Sequence, residues 1–326
     1  MEQTAFCYPL AQELITRFSQ AKVVSIKDYK SVFARPRQHF QTQKHSVNLI
    51  LAVKKDQFVY RGSGHSQSFG LVNFYYNTLI LNCLYNCDYC YLQGMYPSAN
   101  IVVFVNLEDY FEATIEAIGK RLNTEQPLYL CISYDTDLLA FERLAPYCRK
   151  WIEFAYGHPD VLLEIRTKSA LYLAIGDMNP TDRVILAWTF SPDTIADRYE
   201  YGAPPLRQRI RAAREAIDDG WQVRLCFDPL LAVSGWETQY ADLVEETFAE
   251  IPANGIRDAT IGVFRMNTGF LDRIKKQRQN SEILFYPYER EGKTMSYPEE
   301  QRNAMVDQMK QNLMKHLPEA RIAVWT

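Results

Sequence analysis

The stretch Leu81-Asn82-Cys83-Leu84-Tyr85-Asn86-Cys87-Asp88-Tyr89-Cys90-Tyr91 brings three cysteines together in a C-x3-C-x2-C spacing. Thiolates hold iron–sulfur clusters, and this spacing suits three thiolates on one 4Fe-4S cube. Three protein sulfurs leave the fourth iron of a cube without a protein ligand, so that iron can bind a small molecule. The motif therefore predicts chemistry as well as electron storage. The alternative is a zinc knuckle, but that normally has a second ligand pair, and the sequence contains no other C-x2-C or His-x-His pair.

Around this motif, short β-branched or aromatic runs alternate with longer runs of helical spacing. This alternation is typical of a parallel sheet with crossover helices. It predicts an α/β fold, a partial (β/α)6 TIM-type barrel of parallel strands over residues 71–270, with an N-terminal extension (1–70) and a small C-terminal α+β segment (271–326). The predicted barrel strands are 75–81, 128–133, 162–167, 184–190, 223–227 and 260–264. The predicted helices are 107–122, 138–154, 206–216, 236–251 and 299–317, before a last strand at 321–325.

Composition and charge bound the class of protein. Of 326 residues, 47% are hydrophobic and 23% are charged, as in an ordinary globular chain. The sequence shows neither an apolar stretch of about 18 residues nor a secretory signal, which predicts a cytoplasmic protein. The net charge of -3 disfavours indiscriminate nucleic-acid binding, although the basic stretches 35–37, 54–55, 207–214 and 275–278 could contact phosphates. The other cysteines (Cys7, Cys131, Cys148 and Cys226) follow no framework spacing, so in a reducing compartment they are ligands, catalytic thiols or buried core residues.

Unusual residues follow the predicted strands. Cys83 follows the first strand, residues 131–135 close the second, Lys168 follows the third, Ser191 the fourth and Asp228 the fifth. In parallel α/β architectures the active site is built at the C-terminal ends of the strands. These residues are therefore expected at one edge of the sheet.

The C-x3-C-x2-C motif on a loop directly after a first strand resembles that of the radical S-adenosylmethionine family. The resemblance implies a 4Fe-4S cluster on Cys83, Cys87 and Cys90 that binds S-adenosyl-L-methionine through its amino and carboxylate groups. One electron from such a cluster cleaves the sulfonium to methionine and a 5′-deoxyadenosyl radical, which abstracts hydrogen from an unactivated carbon. The protein orients the radical and excludes water.

Further segments resemble the spore photoproduct lyase family, whose members reverse a methylene-bridged thymine dimer in spore DNA. The matching segments are 8–14, 87–93, 131–133, 167–168, 190–191, 201–210 and 235–237. The resemblance implies a carbon–carbon lyase of DNA repair that acts on damaged DNA. It also implies an external electron donor such as flavodoxin or ferredoxin, a monomer and no membrane partner.

The same resemblance assigns catalytic roles to Cys131, Tyr89 and Tyr91. In the family, the cysteine matching Cys131 gives a hydrogen atom to the thymine radical, and the tyrosine pair relays the hydrogen-atom transfer between the resulting thiyl radical and deoxyadenosine. The S–H bond is weaker than most C–H bonds, which suits a donor. The alternatives are a buried structural cysteine and aromatic packing in a chain with 21 tyrosines.

The resemblance places Ser133, Lys168 and Ser191 against S-adenosyl-L-methionine. An ammonium suits the methionyl carboxylate, and hydroxyls suit the ribose. The alternative is ordinary polarity at strand ends.

The C-terminal segment, expected to contact substrate, departs from the family. Residues 288–293 keep its Gly-Lys but not its Arg-Tyr pair in register, and Glu289 and Glu291 would repel DNA unless paired within the protein. Two other hypotheses therefore remain: a related radical enzyme acting on another nucleic acid or a peptide, and a noncatalytic iron–sulfur or zinc protein.

Overall fold

The computed structural model describes residues 1–62 and 69–325. Its strands are β1 (Leu49–Ala52), β2 (Tyr60–Arg61), β3 (Phe74–Tyr76), β4 (Ile80–Leu81), β5 (Asn86–Cys87), β6 (Ile101–Phe104), β7 (Leu128–Cys131), β8 (Val161–Thr167), β9 (Val184–Thr189), β10 (Glu200–Tyr201), β11 (Gln222–Leu230), β12 (Ile256–Val263), β13 (Arg265–Asn267), β14 (Glu289–Glu291), β15 (Thr294–Ser296) and β16 (Ile322–Trp325). Its α-helices are α1 (Pro9–Arg17), α2 (Lys30–Phe33), α3 (Phe40–Lys44), α4 (Leu92–Met95), α5 (Leu107–Gly119), α6 (Tyr147–Gly157), α7 (Asp193–Tyr199), α8 (Leu206–Asp218), α9 (Trp236–Glu250), α10 (Thr268–Gln277) and α11 (Glu299–Met314).

The chain forms two compact units. The first contains Met1–Leu84 and Met95–Ile165, and the second contains Tyr85–Gly94 and Arg166–Thr326. The proposed divisions at residues 70 and 270 remain predictions, and residues 63–68 and 326 of the predicted end segments lie outside the described residues. None of the described helices is both long and apolar enough to cross a membrane.

In the first unit, β3, β7 and β8 lie side by side in parallel, while β1 pairs with β6 in a separate sheet. The prediction of one strand over 75–81 is wrong: β3 belongs to the first sheet, and β4 pairs antiparallel with β6 in the second. Between them, the Thr78 hydroxyl donates to Asp135 at 2.6 Å, and the Thr78 carbonyl accepts from the Tyr110 hydroxyl at 2.6 Å. Because side chains satisfy these groups, the chain can leave one sheet and enter another.

The predicted helix over 138–154 is also divided. A 3-10 turn covers Leu139–Phe141, and α6 begins only at Tyr147. Pro146 lies between them; it has no N–H to donate, and it disfavours helical geometry in the preceding residue. Proline is tolerated just before a helix, which is the position that Pro146 takes.

In the second unit, β9, β11 and β12 lie side by side in parallel, as predicted, and β16 from the C-terminal segment pairs in parallel with β12. Helices α8, α9 and α11 match the predicted ones apart from their ends, and α8 stops at Asp219-Gly220, where Gly220 takes the left-handed φ of 95°. Strand β11 runs on to Leu230, so Asp228 lies inside the strand and not after it as expected.

Candidate active site

The cysteine motif begins two residues after β4. Cys83 is half-buried, and its carbonyl accepts from Lys44 Nζ at 2.5 Å. Cys87 is the buried second residue of β5, Cys90 is half-buried, and no described cysteine forms a disulfide. In the described part of the chain, no three His, Cys, Asp or Glu side chains are close enough to hold one metal ion. A 4Fe-4S cube does not need that closeness, because each cysteine binds a different iron atom.

Arg278 anchors the segment that carries Cys87 and Cys90. Its guanidinium pairs with the Asp88 carboxylate and donates to the Asn86 carbonyl at 2.9 Å and to Gln93 Oε1 at 2.7 Å. The backbone N–H of Asp88 also donates to the Tyr199 carbonyl at 2.8 Å. These contacts fix the backbone around both cysteines. Burial lowers the pKa of Arg278, and the charges of Asp88, Cys87 and Cys90 act in the opposite direction, so a cation faces the thiolates.

A buried carboxylate gathers three of the predicted site residues in the second unit. The hydroxyls of Tyr89 and Ser191 both donate to Oε1 of Glu200, the latter at 2.7 Å. Lys168 Nζ lies 4.0 Å from the same oxygen and 5.4 Å from the centre of the Tyr89 ring. The Arg209 guanidinium pairs with the other oxygen. Glu200 therefore joins a predicted relay residue to two predicted cofactor-binding residues.

The sequence forms this network through a short strand pair. Glu200 lies opposite Cys87 in the antiparallel β5–β10 ladder. This register sets the carboxylate beside the cysteine segment, because directly opposite residues of a ladder are neighbours. The network thus lies next to a cysteine expected to hold the cluster.

Two cations govern the charge of this network. Burial alone would raise the pKa of Glu200, but the charges of Lys168 and Arg209 outweigh burial and hold the pKa below its ordinary value. Burial, reinforced by Glu200, raises the pKa of Tyr89 well above its usual value. Two cations against one carboxylate leave a net positive charge, which suits an anionic ligand group such as a carboxylate.

Cys131 lies in the first unit as the last residue of β7, with 6% of its surface exposed. Its Sγ lies 3.9 Å from Oε1 of Glu164, the residue opposite it in β8. The Tyr129 hydroxyl donates to the other oxygen of Glu164. Ser133 is buried two residues beyond Cys131, and Tyr91 is half-buried just before α4.

The two aspartates without an assigned role differ in their surroundings. Asp135 is buried, and burial raises its pKa although hydrogen bonds from Thr78 and Tyr96 act against the rise. Asp228 lies 3.7 Å from Arg166 Nη1 and 3.7 Å from Arg265 Nη1. Both carboxylates therefore have partners within their own unit.

The Gly-Lys of the C-terminal segment is the turn of a β14–β15 hairpin. Gly292 takes a positive φ of 59°, as the first residue of a two-residue hairpin turn often does. Glu291 pairs with Arg302 at 3.3 Å, so one of the two carboxylates expected to repel DNA has a partner in the protein.

The sequence analysis missed Glu164, Glu200, Arg209 and Arg278. The pattern of β8 contained a usable signal for the first, because Glu164 is a charge within an otherwise apolar run. Arg209 and Arg278 belong to basic runs that suggested phosphate contacts, yet both point into the protein.

The fold and the cysteine motif are those of a radical S-adenosylmethionine enzyme. The family model for spore photoproduct lyase matches residues 1–326, and the chain belongs to that family. The spore photoproduct lyase of Geobacillus sp. (strain Y412MC61) is 22% identical over 263 residues, which cover 79% of this chain and 75% of the relative.

Solved structures show the same fold. A spore photoproduct lyase complexed with dinucleoside spore photoproduct has a TM-score of 0.82 at 20% identity. A double mutant of spore photoproduct lyase with bound AdoMet and dinucleoside spore photoproduct has a TM-score of 0.83, also at 20% identity. Each match covers 100% of this chain and 96% of the other. They confirm the predicted α/β fold with a partial TIM-type barrel.

Family membership makes this chain a radical S-adenosylmethionine lyase of DNA repair, with a 4Fe-4S cluster and S-adenosyl-L-methionine as cofactors. The residues present fit both groups. The cysteine segment is held rigidly beside a guanidinium that favours thiolates. The Glu200 network offers a net positive charge for a carboxylate.

Proposed function

We propose that this chain reverses a methylene-bridged thymine dimer in DNA by breaking the carbon–carbon bond of the bridge. The match of the spore photoproduct lyase family over the whole chain supports this substrate. The observation that carries the proposal is the meeting of Tyr89, Lys168 and Ser191 at buried Glu200, opposite Cys87.

In this proposal Cys83, Cys87 and Cys90 hold the cluster. Lys168 binds the methionyl carboxylate of the cofactor, and the Ser133 and Ser191 hydroxyls bind its polar groups. When bound, the cluster and S-adenosyl-L-methionine supply a 5′-deoxyadenosyl radical, which takes hydrogen from the lesion. Glu200 orients Lys168 and Ser191 for this binding.

Cys131 then quenches the thymine radical that is left when the bridge breaks. The hydrogen atom leaves Sγ, so a thiyl radical remains on Cys131. Tyr89 and Tyr91 return a hydrogen atom to the Cys131 thiyl radical, and the tyrosine O–H would in turn be restored by a hydrogen atom from 5′-deoxyadenosine. A relay tyrosine must keep its O–H, and the raised pKa of Tyr89 supports this role.

The partners of the reaction are part of the same proposal. Residues 271–326, with the exposed strand β14 and the turn that follows it, contact the damaged DNA. An external donor such as flavodoxin or ferredoxin supplies the electron, since the sequence has no second cluster motif. The enzyme acts as a cytoplasmic monomer.

The test uses the chain reconstituted anaerobically with iron and sulfide. With S-adenosyl-L-methionine, a strong reductant and dinucleoside spore photoproduct, we expect release of thymidine, which chromatography detects. Replacing Cys83, Cys87 and Cys90 with alanine should abolish both cofactor cleavage and repair. Cofactor cleavage without repair would instead favour another nucleic acid or a peptide substrate. Absence of both from the reconstituted protein would leave the noncatalytic hypothesis.

A second variant tests the donor. Cys131→Ala should still cleave the cofactor but should give little unmodified thymine, because other reagents trap the product radical in place of the thiol. The matched control is Cys148→Ala, which removes a buried cysteine of the same unit that has no assigned role. Clean thymine from Cys131→Ala at the wild-type yield would contradict the donor role.

A further inference from the structure

Glu164 is a buried carboxylate beside the proposed hydrogen donor. Only 2% of it is exposed, and its two oxygens face different groups. Oε1 lies 3.9 Å from Cys131 Sγ, and Oε2 accepts from the Tyr129 hydroxyl. The Tyr129 ring packs against Phe69 and Phe74, with ring centres 5.6 and 5.5 Å away, so its hydroxyl holds the carboxylate in place.

A carboxylate acts on a neighbouring thiol in two ways. It accepts the S–H hydrogen bond, which gives the thiol a direction. It also disfavours the thiolate, because two like charges would then lie together. The same chain shows this effect elsewhere: burial, the charge of Glu142 and a hydrogen bond with Glu142 raise the pKa of the Cys148 thiol well above its usual value.

We propose that Glu164 is a positioning residue for hydrogen donation, which keeps Cys131 as a thiol and directs its S–H bond. This inference rests on the proposed function of Cys131 as the donor. A thiolate has no hydrogen atom to give, so a donor that must act once per turnover has to stay protonated. In the step itself the S–H bond breaks, a C–H bond forms on the thymine radical and a thiyl radical stays on sulfur. Transfer of a hydrogen atom moves no net charge, so the step does not require Glu164 to gain or lose a proton.

The same carboxylate affects how the Cys131 thiyl radical is converted back to a thiol. Adding one electron would create a thiolate against Glu164, whereas adding a hydrogen atom creates no charge. Like-charge repulsion disfavours the first route. Glu164 therefore favours restoration by a hydrogen atom, as from a tyrosine, over reduction by a stray electron donor.

The S–H stretching band measures the hydrogen bond without any turnover. The infrared difference between the anaerobic wild-type apoprotein and Cys131→Ser isolates the Cys131 band. In Glu164→Gln we expect this band to move to higher frequency, because a neutral amide accepts more weakly than a carboxylate. In Tyr129→Phe it should move to lower frequency, because the carboxylate loses a competing donor. Glu142→Gln, which changes the carboxylate beside Cys148, should leave the band in place.

Repair in D2O measures how often the product radical receives its hydrogen from Cys131. Cys131 exchanges its S–H for S–D, so wild-type thymine product should carry deuterium from the solvent. In Glu164→Gln we expect the ratio of deuterated thymine to otherwise trapped product to fall about tenfold, the effect of losing one hydrogen bond to a charged group. Cofactor cleavage should persist.

The two measurements separate the inference from the function on which it rests. An unmoved S–H band in both Glu164→Gln and Tyr129→Phe would overturn the inference, as would a wild-type deuterium ratio in Glu164→Gln. Tyr129→Phe changes the strength of the same acceptor, Glu164. The Cys131 S–H band in this variant therefore tests the inference even if Glu164→Gln does not fold. If the variants show the band shifts but the wild-type protein repairs nothing, the proposed function is refuted instead.

Discussion

Replacing Glu200 with glutamine removes the negative charge from a fully buried ion pair. The side chains of Glu200 and Arg209 are both 0% exposed, while Lys168 is 15% exposed and can turn toward water. Glutamine has nearly the same volume, so packing changes little, but Arg209 is left as a buried charge without its carboxylate. Breaking a buried pair in this way costs about 3–5 kcal/mol. We expect the free energy of unfolding to fall by about this amount.

Urea unfolding of the anaerobic apoprotein, followed by circular dichroism, measures this loss. The matched control is Glu215→Gln, which removes the carboxylate of an i,i+4 pair with Arg211, whose side chain is 82% exposed. Exposed helix pairs contribute only about 0.3–0.5 kcal/mol. If Glu200→Gln loses no more stability than Glu215→Gln, the buried pair does not stabilise the fold and the reasoning is refuted.

Three further predictions concern the second unit, with one control variant, Gly119→Ala, in the first. Arg278→Met should keep the fold but retain much less iron after reconstitution and gel filtration, because the segment with Cys87 and Cys90 loses its anchor. An iron content equal to that of the wild type would contradict this role of Arg278. In Gly94→Ala a Cβ would lie 2.5 Å from the Phe270 carbonyl oxygen, so overpacking should cost about 1–3 kcal/mol. Gly119→Ala meets nothing within 4 Å and should gain about 0.4–1 kcal/mol, and urea midpoints distinguish the two. The pKa of Glu200 is lowered in the fold, so its contribution to stability is complete above its ordinary value of 4.5 and is lost as the pH falls through the lower value. Urea midpoints measured from about pH 6 to about pH 3 should therefore fall more steeply for wild type than for Glu200→Gln.

The spacing of apolar residues predicted the strands and helices correctly wherever a single element occupies one stretch of sequence. The strands 184–190 and 260–264 and the helix 206–216 are present, because apolar spacing reports directly which face is buried. It failed at 75–81, where a mostly apolar run interrupted by Asn77 and Thr78 contains two strands of different sheets. Hydrogen bonds to Asp135 and Tyr110, distant in sequence, make that division, and local spacing does not record them.

The candidate site shows the same limit. Strand order indicated Lys168 and Ser191, and the family resemblance indicated Tyr89, but neither indicated the carboxylate that all three share. Glu200 lies on a two-residue strand between tyrosines, and its burial depends on the β5–β10 pairing. Arg209 and Arg278, which lie in stretches expected to contact DNA, instead pair with carboxylates inside the protein. A basic stretch of sequence does not reveal which of its side chains faces inward.

The anchoring of the cysteine segment by Arg278 has a consequence for how the enzyme matures. The Arg278–Asn86 contact joins residues 192 positions apart, so it cannot form while the chain is still being synthesised near the cysteines. Contacts of such long sequence separation form late, since closing the intervening loop costs entropy first. The segment that carries Cys87 and Cys90 is therefore organised for iron loading only once most of the polypeptide has left the ribosome. A truncation before Arg278 should yield a protein that loads iron poorly.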